Sequence, residues 1–107
     1  MKNLEMIQKL SVLHCVYQMI ASADGGIDEE RDSAAINFVL SELGLTSVYL
    51  WDSALQLSPY DSFTHISTLT DNDKQLFKTL LLTIANMGGN TLFRINCAHH
   101  IFQLCKV

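Results

Sequence analysis

The chain has 107 residues, of which 49% are hydrophobic and 17% are charged, with one proline and five glycines. These values predict one folded domain and exclude intrinsically disordered, collagen-like and low-complexity chains. Seven Lys and Arg against eleven Asp and Glu give a net charge of −4, so the basic footprint of a nucleic-acid-binding protein is missing.

The first helix is predicted over residues 3–22, because apolar side chains recur there every three or four residues. Its main stripe consists of Met6, Leu10, Leu13, Tyr17 and Ile20. A second stripe on the other side consists of Val12, Cys15 and Met19. A helix that is apolar on two sides is buried between layers or lies at an interface. The string Asp24-Gly25-Gly26 then ends this helix, since glycine readily adopts the left-handed C-terminal turn.

Capping and breaking residues divide the rest of the chain into five more helices. They run from the Asp28 cap to about Leu43, from a cap at Thr46 or Ser47 to Leu57, over about 61–69, over 71–87 after Thr70, and over about 91–106. No stretch shows a sustained alternation of period two, so we predict no strand. The predicted fold class is therefore all-α, with six or seven helices in a single domain that spans residues 1–107.

An internal repeat is predicted, with halves at about 3–43 and 64–106. Each half consists of a long apolar helix, a Gly-Gly turn and a second amphipathic helix. The matching residues are Ile20-Ala21 with Ile84-Ala85, Gly25-Gly26 with Gly88-Gly89, Arg31 with Arg94, and Ala35 and Phe38-Val39 with Ala98 and Ile101-Phe102. Two such hairpins can bury each other's apolar faces about a pseudo-two-fold axis. We therefore expect residues 10–43 and 73–106 to superpose.

The most distinctive string is the turn between the first two helices. It reads Ala23-Asp24-Gly25, then Ile27, Asp28 and Glu29-Glu30. In this string and in the repeated hairpin, the chain resembles the tellurite-resistance TerB-like family, which includes the N-terminal domain of a DnaJ-type membrane co-chaperone. The resemblance implies an all-helical domain of about seven helices and a divalent-cation site formed by acidic residues at these turns. The chain departs from the family pattern at Arg31, where a further glutamate is frequent, and over residues 86–94, which contain no acidic residue.

Residues 24–32, called the acidic turn below, hold five acids in nine residues. The candidate ligands for a calcium-like divalent cation are Asp24, Asp28, Glu29 and Glu30. The turn is not an EF-hand loop, because Ile20 and Arg31 stand where that loop requires oxygen donors. The competing interpretation makes the two aspartates turn and cap residues and lets the glutamates complement the helix dipole. We expect a solvent-exposed turn that is empty or holds an ion weakly through several waters, and we predict no other cofactor.

Other residue constellations favour structural roles over catalysis. Zinc-ligand residue types occur in the last helix at Cys97, His99, His100 and Cys105. A helical wheel turns these thiols toward the core and the imidazoles toward solvent, so the four do not converge on a metal ion. His14 is badly placed to activate Cys15, because adjacent helical residues point about 100° apart. With no nucleophile elbow, phosphate loop or dinucleotide fingerprint, the sequence does not predict an enzyme.

Partner surfaces are predicted at two places. The first and fifth predicted helices carry more apolar surface than one small domain covers, including Val12, Cys15 and Met19, which predicts a homodimer; the alternative is complete burial within the repeat pair. Three aromatic residues, Tyr49, Trp51 and Tyr60, either form a partner surface or cover the end of the helical core. The leading interpretation is a non-enzymatic, TerB-like interaction or stress-response module with a protein partner. The alternative is a divalent-cation or small-ligand domain that uses the Asp24-Gly25 turn.

The expected compartment is the cytoplasm. Three cysteines without framework spacing favour a reducing environment, and no apolar run reaches the roughly 20 residues of a membrane span, so we predict no membrane insertion. Lys2 and Lys9 precede an apolar segment, as in a secretory signal. Glu5 interrupts the basic part of that pattern and His14 and Gln18 interrupt its apolar part, so a core helix is the preferred interpretation.

Overall fold

Six α-helices make up the fold in the computed structural model, which describes residues 1–46 and 49–107. They are α1 (Met6–Asp24), α2 (Glu29–Glu42), α3 (Tyr49–Leu55), α4 (Pro59–Ser67), α5 (Asp71–Ala85) and α6 (Thr91–Cys105). No strand occurs within the described ranges. The predicted all-α class with six helices is therefore confirmed.

Local capping chemistry sets where these helices begin and end. The Ser58 hydroxyl accepts a hydrogen bond from the N–H of Asp61 at 3.0 Å, and the Thr70 hydroxyl accepts one from the N–H of Asp73 at 3.2 Å. Because Pro59 fits the first helical turn, α4 begins two residues earlier than predicted. Gly44 follows the end of α2 with φ +68°, as a helix-ending glycine should. The candidate cap Ser47 lies outside the described residues.

The centre of the fold is α1, which packs closely on α3, α4 and α6. Its second stripe, Val12, Cys15 and Met19, is completely buried within the single chain. These three residues therefore offer no surface for self-association, whereas Leu76 on α5 is 42% exposed, and the homodimer stays a prediction. In the main stripe Met6 is 50% exposed, so the stripe that looked secondary in the sequence is the more deeply buried of the two.

The two predicted hairpins contact the rest of the domain differently. In the second hairpin α5 and α6 lie against each other, whereas α1 packs mainly on helices outside its own hairpin, and α2 approaches α5. Superposition of residues 10–43 on 73–106 remains a prediction. Nowhere in the described ranges does a helix have the combined length and hydrophobicity needed to cross a bilayer.

Candidate functional site

The acidic turn joins α1 to α2 through two glycines. Gly25 has φ +78° and Gly26 has φ +150°, values that side chains with a Cβ rarely adopt. Asp28 then begins α2, and its Oδ1 accepts a hydrogen bond from the N–H of Arg31 at 2.8 Å. The predicted helix stop and the predicted N-cap are both confirmed, and one oxygen of the Asp28 carboxylate is engaged by the backbone.

Asp24, the last residue of α1, is bound by side chains of the second hairpin. Its Oδ1 accepts a hydrogen bond from Nδ2 of Asn90 at 2.5 Å, and its Oδ2 accepts one from Nε of Arg94 at 2.7 Å. Nη2 of Arg94 also lies 2.5 Å from Oδ2, and the Asp24 side chain is fully buried. The expectation that this turn is solvent-exposed is therefore wrong at Asp24, because α6 covers its carboxylate.

Asp32 is the second buried carboxylate of the turn, and two arginines share it. Nε and Nη2 of Arg31 and Nη2 of Arg94 donate to it at 2.7–3.2 Å, and the N–H of Asp28 donates to it at 2.9 Å. Burial raises the pKa of Asp32, whereas the hydrogen bonds from Arg31, from the Asp28 backbone and from Arg94 lower it, and the resulting pKa is about 2. Asp32 is thus an ionised anchor at neutral pH. We call Asp24, Arg31, Asp32 and Arg94 the ion-pair cluster.

Arg94 is the most deeply placed cation of this cluster. Its side chain is 0% exposed, whereas that of Arg31 is 33% exposed. The guanidinium lies against the bare α-carbon of Gly88, where an added Cβ would stand 2.6 Å from Nη1. Nη1 has no acceptor among the described residues. A Cβ at position 88 would therefore force the Arg94 guanidinium to move.

The four candidate cation ligands do not converge. The Asp24 carboxylate is covered by Arg94, Asp28 caps α2, and Glu29 and Glu30 are exposed on the surface. A hard cation needs six to eight oxygen ligands around one point. Among residues 1–46 and 49–107, no group of three or more His, Cys, Asp or Glu side chains is arranged to hold a metal ion. The cation site that the family resemblance implies does not fit these residues.

The cysteines and histidines of α6 are arranged differently from the helical-wheel prediction. Cys105 is buried as expected, but Cys97 is only half-buried and lines the same surface groove as His100. Cys97 also packs against the hydrophobic core, so the prediction that the thiols lie toward the core is confirmed at Cys105 and holds in part at Cys97, whose other side borders the groove. The reason is that residues three apart lie on one helical face, and here that face borders a groove.

His14 and Cys15 on α1 have separate structural roles. Nδ1 of His14 lies 3.0 Å from the carbonyl oxygen of Ala54, and Nε2 lies 3.1 Å from Nε2 of Gln18. A carbonyl can only accept, so Nδ1 donates and Nε2 accepts from the Gln18 amide. Burial raises the pKa of the Cys15 thiol well above its usual range, and the neighbouring Cys105 thiol raises it further. This pair therefore supplies neither a free base nor a thiolate.

A surface groove of about 470 Å³ is bounded by α1, α4 and α6. We call it the α6 groove, and its lining consists of Gln18, Ser22, Pro59, Phe63, Asn96, Cys97, His100, Ile101 and Leu104. A second cavity of about 350 Å³ continues from it past Phe63 and Leu104 toward Tyr60 and Lys106. No Asp or Glu lines either cavity, although the whole chain is acidic.

The predicted aromatic residues lie in different surroundings. Trp51 is half-buried and packs edge-to-face on Tyr17 with ring centroids 6.4 Å apart, so it covers the helical core. Tyr60 is 77% exposed at the end of the α6 groove. The side chain of Tyr49 lies outside the described part of the structure. Of the two described aromatics, Tyr60 is the more exposed, and Trp51 also lines a separate surface cavity beside Ile36.

Comparison with known proteins gives no match. No protein-family model, no curated protein and no solved structure is significantly similar to this chain.

Proposed function

We propose that this chain is a non-enzymatic interaction module, TerB-like in the sense of its acidic turn, that binds an apolar helix of a protein partner in the α6 groove. The observation that carries the proposal is a stripe of apolar residues along α6 beside an open cavity. Phe93, Cys97, Ile101 and Leu104 follow one another at intervals of four, four and three residues, which places them on one helical face.

The dimensions of this stripe suit a short helix. Its first and last members, Phe93 and Leu104, are eleven positions apart, which corresponds to roughly 16 Å or three helical turns. Leu104 is 46% exposed and Phe93 is 61% exposed, so both ends of the stripe offer large apolar side chains to solvent. Helix-in-groove recognition uses apolar anchors of this spacing.

The chemistry of the groove also supports binding over catalysis. Cys97 and His100 face the groove, yet no hydrogen bond joins them among the described residues. The remaining lining is apolar or neutral and polar, apart from Lys106 in the adjoining cavity. We therefore expect a partner helix with an apolar stripe and an acidic residue at the end that meets Lys106. The family resemblance adds stress or tellurite response as the setting.

Site-specific photo-crosslinking tests this proposal. A photoreactive residue at position 104, introduced into the full chain in cells, should give a covalent adduct with one defined protein. The matched control is position 76 on α5, because Leu76 is 42% exposed and lies outside both cavities of the groove. The adduct should disappear when Phe63→Asp changes the opposite wall. Equal adducts at the two positions, or none at position 104, would contradict the proposal.

A further inference from the structure

We propose that the guanidinium of Arg94 is the permanent cation of the acidic turn, so that this domain joins its two hairpins without a divalent metal ion. The proposal is independent of the α6 groove. It concerns the same acidic residues for which the family resemblance implies a metal.

The first step is the engagement of the carboxylate oxygens. Both oxygens of Asp24 already accept hydrogen bonds, one from Asn90 and one from Arg94. Both oxygens of Asp32 accept hydrogen bonds as well, from two arginines and from the backbone of Asp28. A metal ion that used Oδ2 of Asp24 or either oxygen of Asp32 would therefore compete with charged donors at 2.7–2.9 Å, and one that used Oδ1 of Asp24 would compete with the Asn90 amide.

The second step is the charge of the cluster. Two carboxylates face two guanidinium groups, so the ion-pair cluster is neutral as it stands. A divalent cation added to it would leave an excess of positive charge beside side chains that are fully buried. Uncompensated charge in such surroundings costs several kcal/mol. The exposed Glu29 and Glu30 lie outside this buried set.

The third step is the burial of Arg94. The side chain is 0% exposed and rests on the α-carbon of Gly88. If a metal displaced it, the guanidinium would lose its carboxylate partners while still surrounded by protein. Arg94 thus fills the place between α1, α2 and α6 at which a metal would have to bind.

Thermal unfolding of the full chain tests this inference. The unfolding midpoint of the wild-type protein should be the same in chelator, in millimolar calcium and in millimolar manganese. A rise in the midpoint with either ion that Asp24→Asn abolishes would overturn the proposal. The expected result is measured on the wild-type protein alone.

Two arginine variants sharpen the test. Arg94→Met should lower the midpoint by about 10 °C or more, because it leaves two buried carboxylates short of a cation. Arg31→Met, the equivalent change in the first hairpin, should lower it by less than half as much, because Arg31 is one-third exposed. If Arg94→Met is too unstable to unfold cooperatively, Arg94→Lys replaces it, because it keeps the positive charge. Its unfolding midpoint should lie between those expected for Arg94→Met and Arg31→Met. Equal effects of the Arg94 and Arg31 changes to Met would contradict the proposal.

Discussion

The turn at Gly25-Gly26 is flanked by the carboxylates of Asp24 and Asp32. The turn at Gly88-Gly89 is followed by Asn90 and Arg94, whose side chains bind those carboxylates. Gly25 and Gly26 are glycines because their φ values are positive, and no atom lies within 4 Å of a Cβ added at either. Gly88 has no such φ, and a Cβ there would instead overlap the Arg94 guanidinium. Two strings that match letter for letter therefore have different physical causes. The match locates the turns but does not say what each turn does.

The cap positions of the two turns differ in the same way. Asp28 binds the N–H of Arg31 and stabilises its own helix. Asn90 makes no side-chain cap to α6; its amide reaches Asp24 on the other hairpin, and its backbone is left-handed with φ 55°. Asparagine tolerates that conformation better than most residues. Asp28 thus stabilises the start of its own helix, whereas Asn90 stabilises the tertiary contact with Asp24.

The largest expected effect comes from removing the carboxylate that both arginines share. Asp32→Ala should lower the free energy of unfolding by about 3–5 kcal/mol, because Arg94 stays buried with half of its ion pairs lost. Glu30→Ala, an exposed acid of the same turn, should change it by less than about 0.5 kcal/mol. Urea unfolding of both variants checks this, and similar losses would mean that the buried cluster does not hold the hairpins together.

A smaller difference in stability is expected between alanine variants of Gly88 and Gly89. Gly88→Ala should cost about 1–3 kcal/mol, since its Cβ would overlap Nη1 of Arg94 and force a shift. Gly89→Ala has no atom within 4 Å of its Cβ and should be neutral or slightly stabilising through lower chain entropy in the unfolded state. Denaturant midpoints of the two single variants measure the difference. A larger loss of stability in Gly89→Ala than in Gly88→Ala would mean that Arg94 does not lie against Gly88.

Acid should weaken the first turn through Asp32. Its pKa is lowered from 3.8 to about 2, so its stabilising contribution is full above pH 4 and is lost as the pH falls toward 2. The contribution is about 1–2 kcal/mol after allowance for solvent screening. Unfolding free energies measured from pH 5 to pH 2 should show this slope in the wild-type protein. The dependence of the unfolding free energy on pH should be weaker in Asp32→Asn. An unchanged dependence would mean that other carboxylates cause it.

The smallest effects compare the two cap positions. Asp28→Ala should cost about 0.5–2 kcal/mol through the lost N-cap of α2. Asn90→Gly removes the hydrogen bond to Asp24 but relieves the left-handed backbone, so its net cost should be under about 1 kcal/mol. Hydrogen exchange distinguishes the two, because protection should fall at the start of α2 in the first variant and at the end of α1 in the second. Loss of α6 protection in Asn90→Gly would mean that Asn90 caps its own helix after all.

The helices were predictable because their signals are local. Gly25, Asp28, Ser58-Pro59 and Thr70 each act within four residues, and the structure confirms the helix boundaries that they predict to within a few residues. The acidic turn was also recognisable from its residue types. What the sequence did not reveal is that Arg94 covers it, because residues 62 and 70 positions apart meet only through the packing of α6. The one available signal was the alignment of Arg94 with Arg31.

The central position of α1 has a consequence for how the chain is made. Residues 6–24 leave the ribosome before α6, which packs on them and carries Arg94. During synthesis α1 can pack on α3 and α4 first, but its contacts with α6 form only after more than 60 further residues have been made, so the core stays incomplete until then. We expect a nascent chain stalled before residue 91 to remain accessible to protease and to bind chaperones, and one extended beyond residue 105 to be protected.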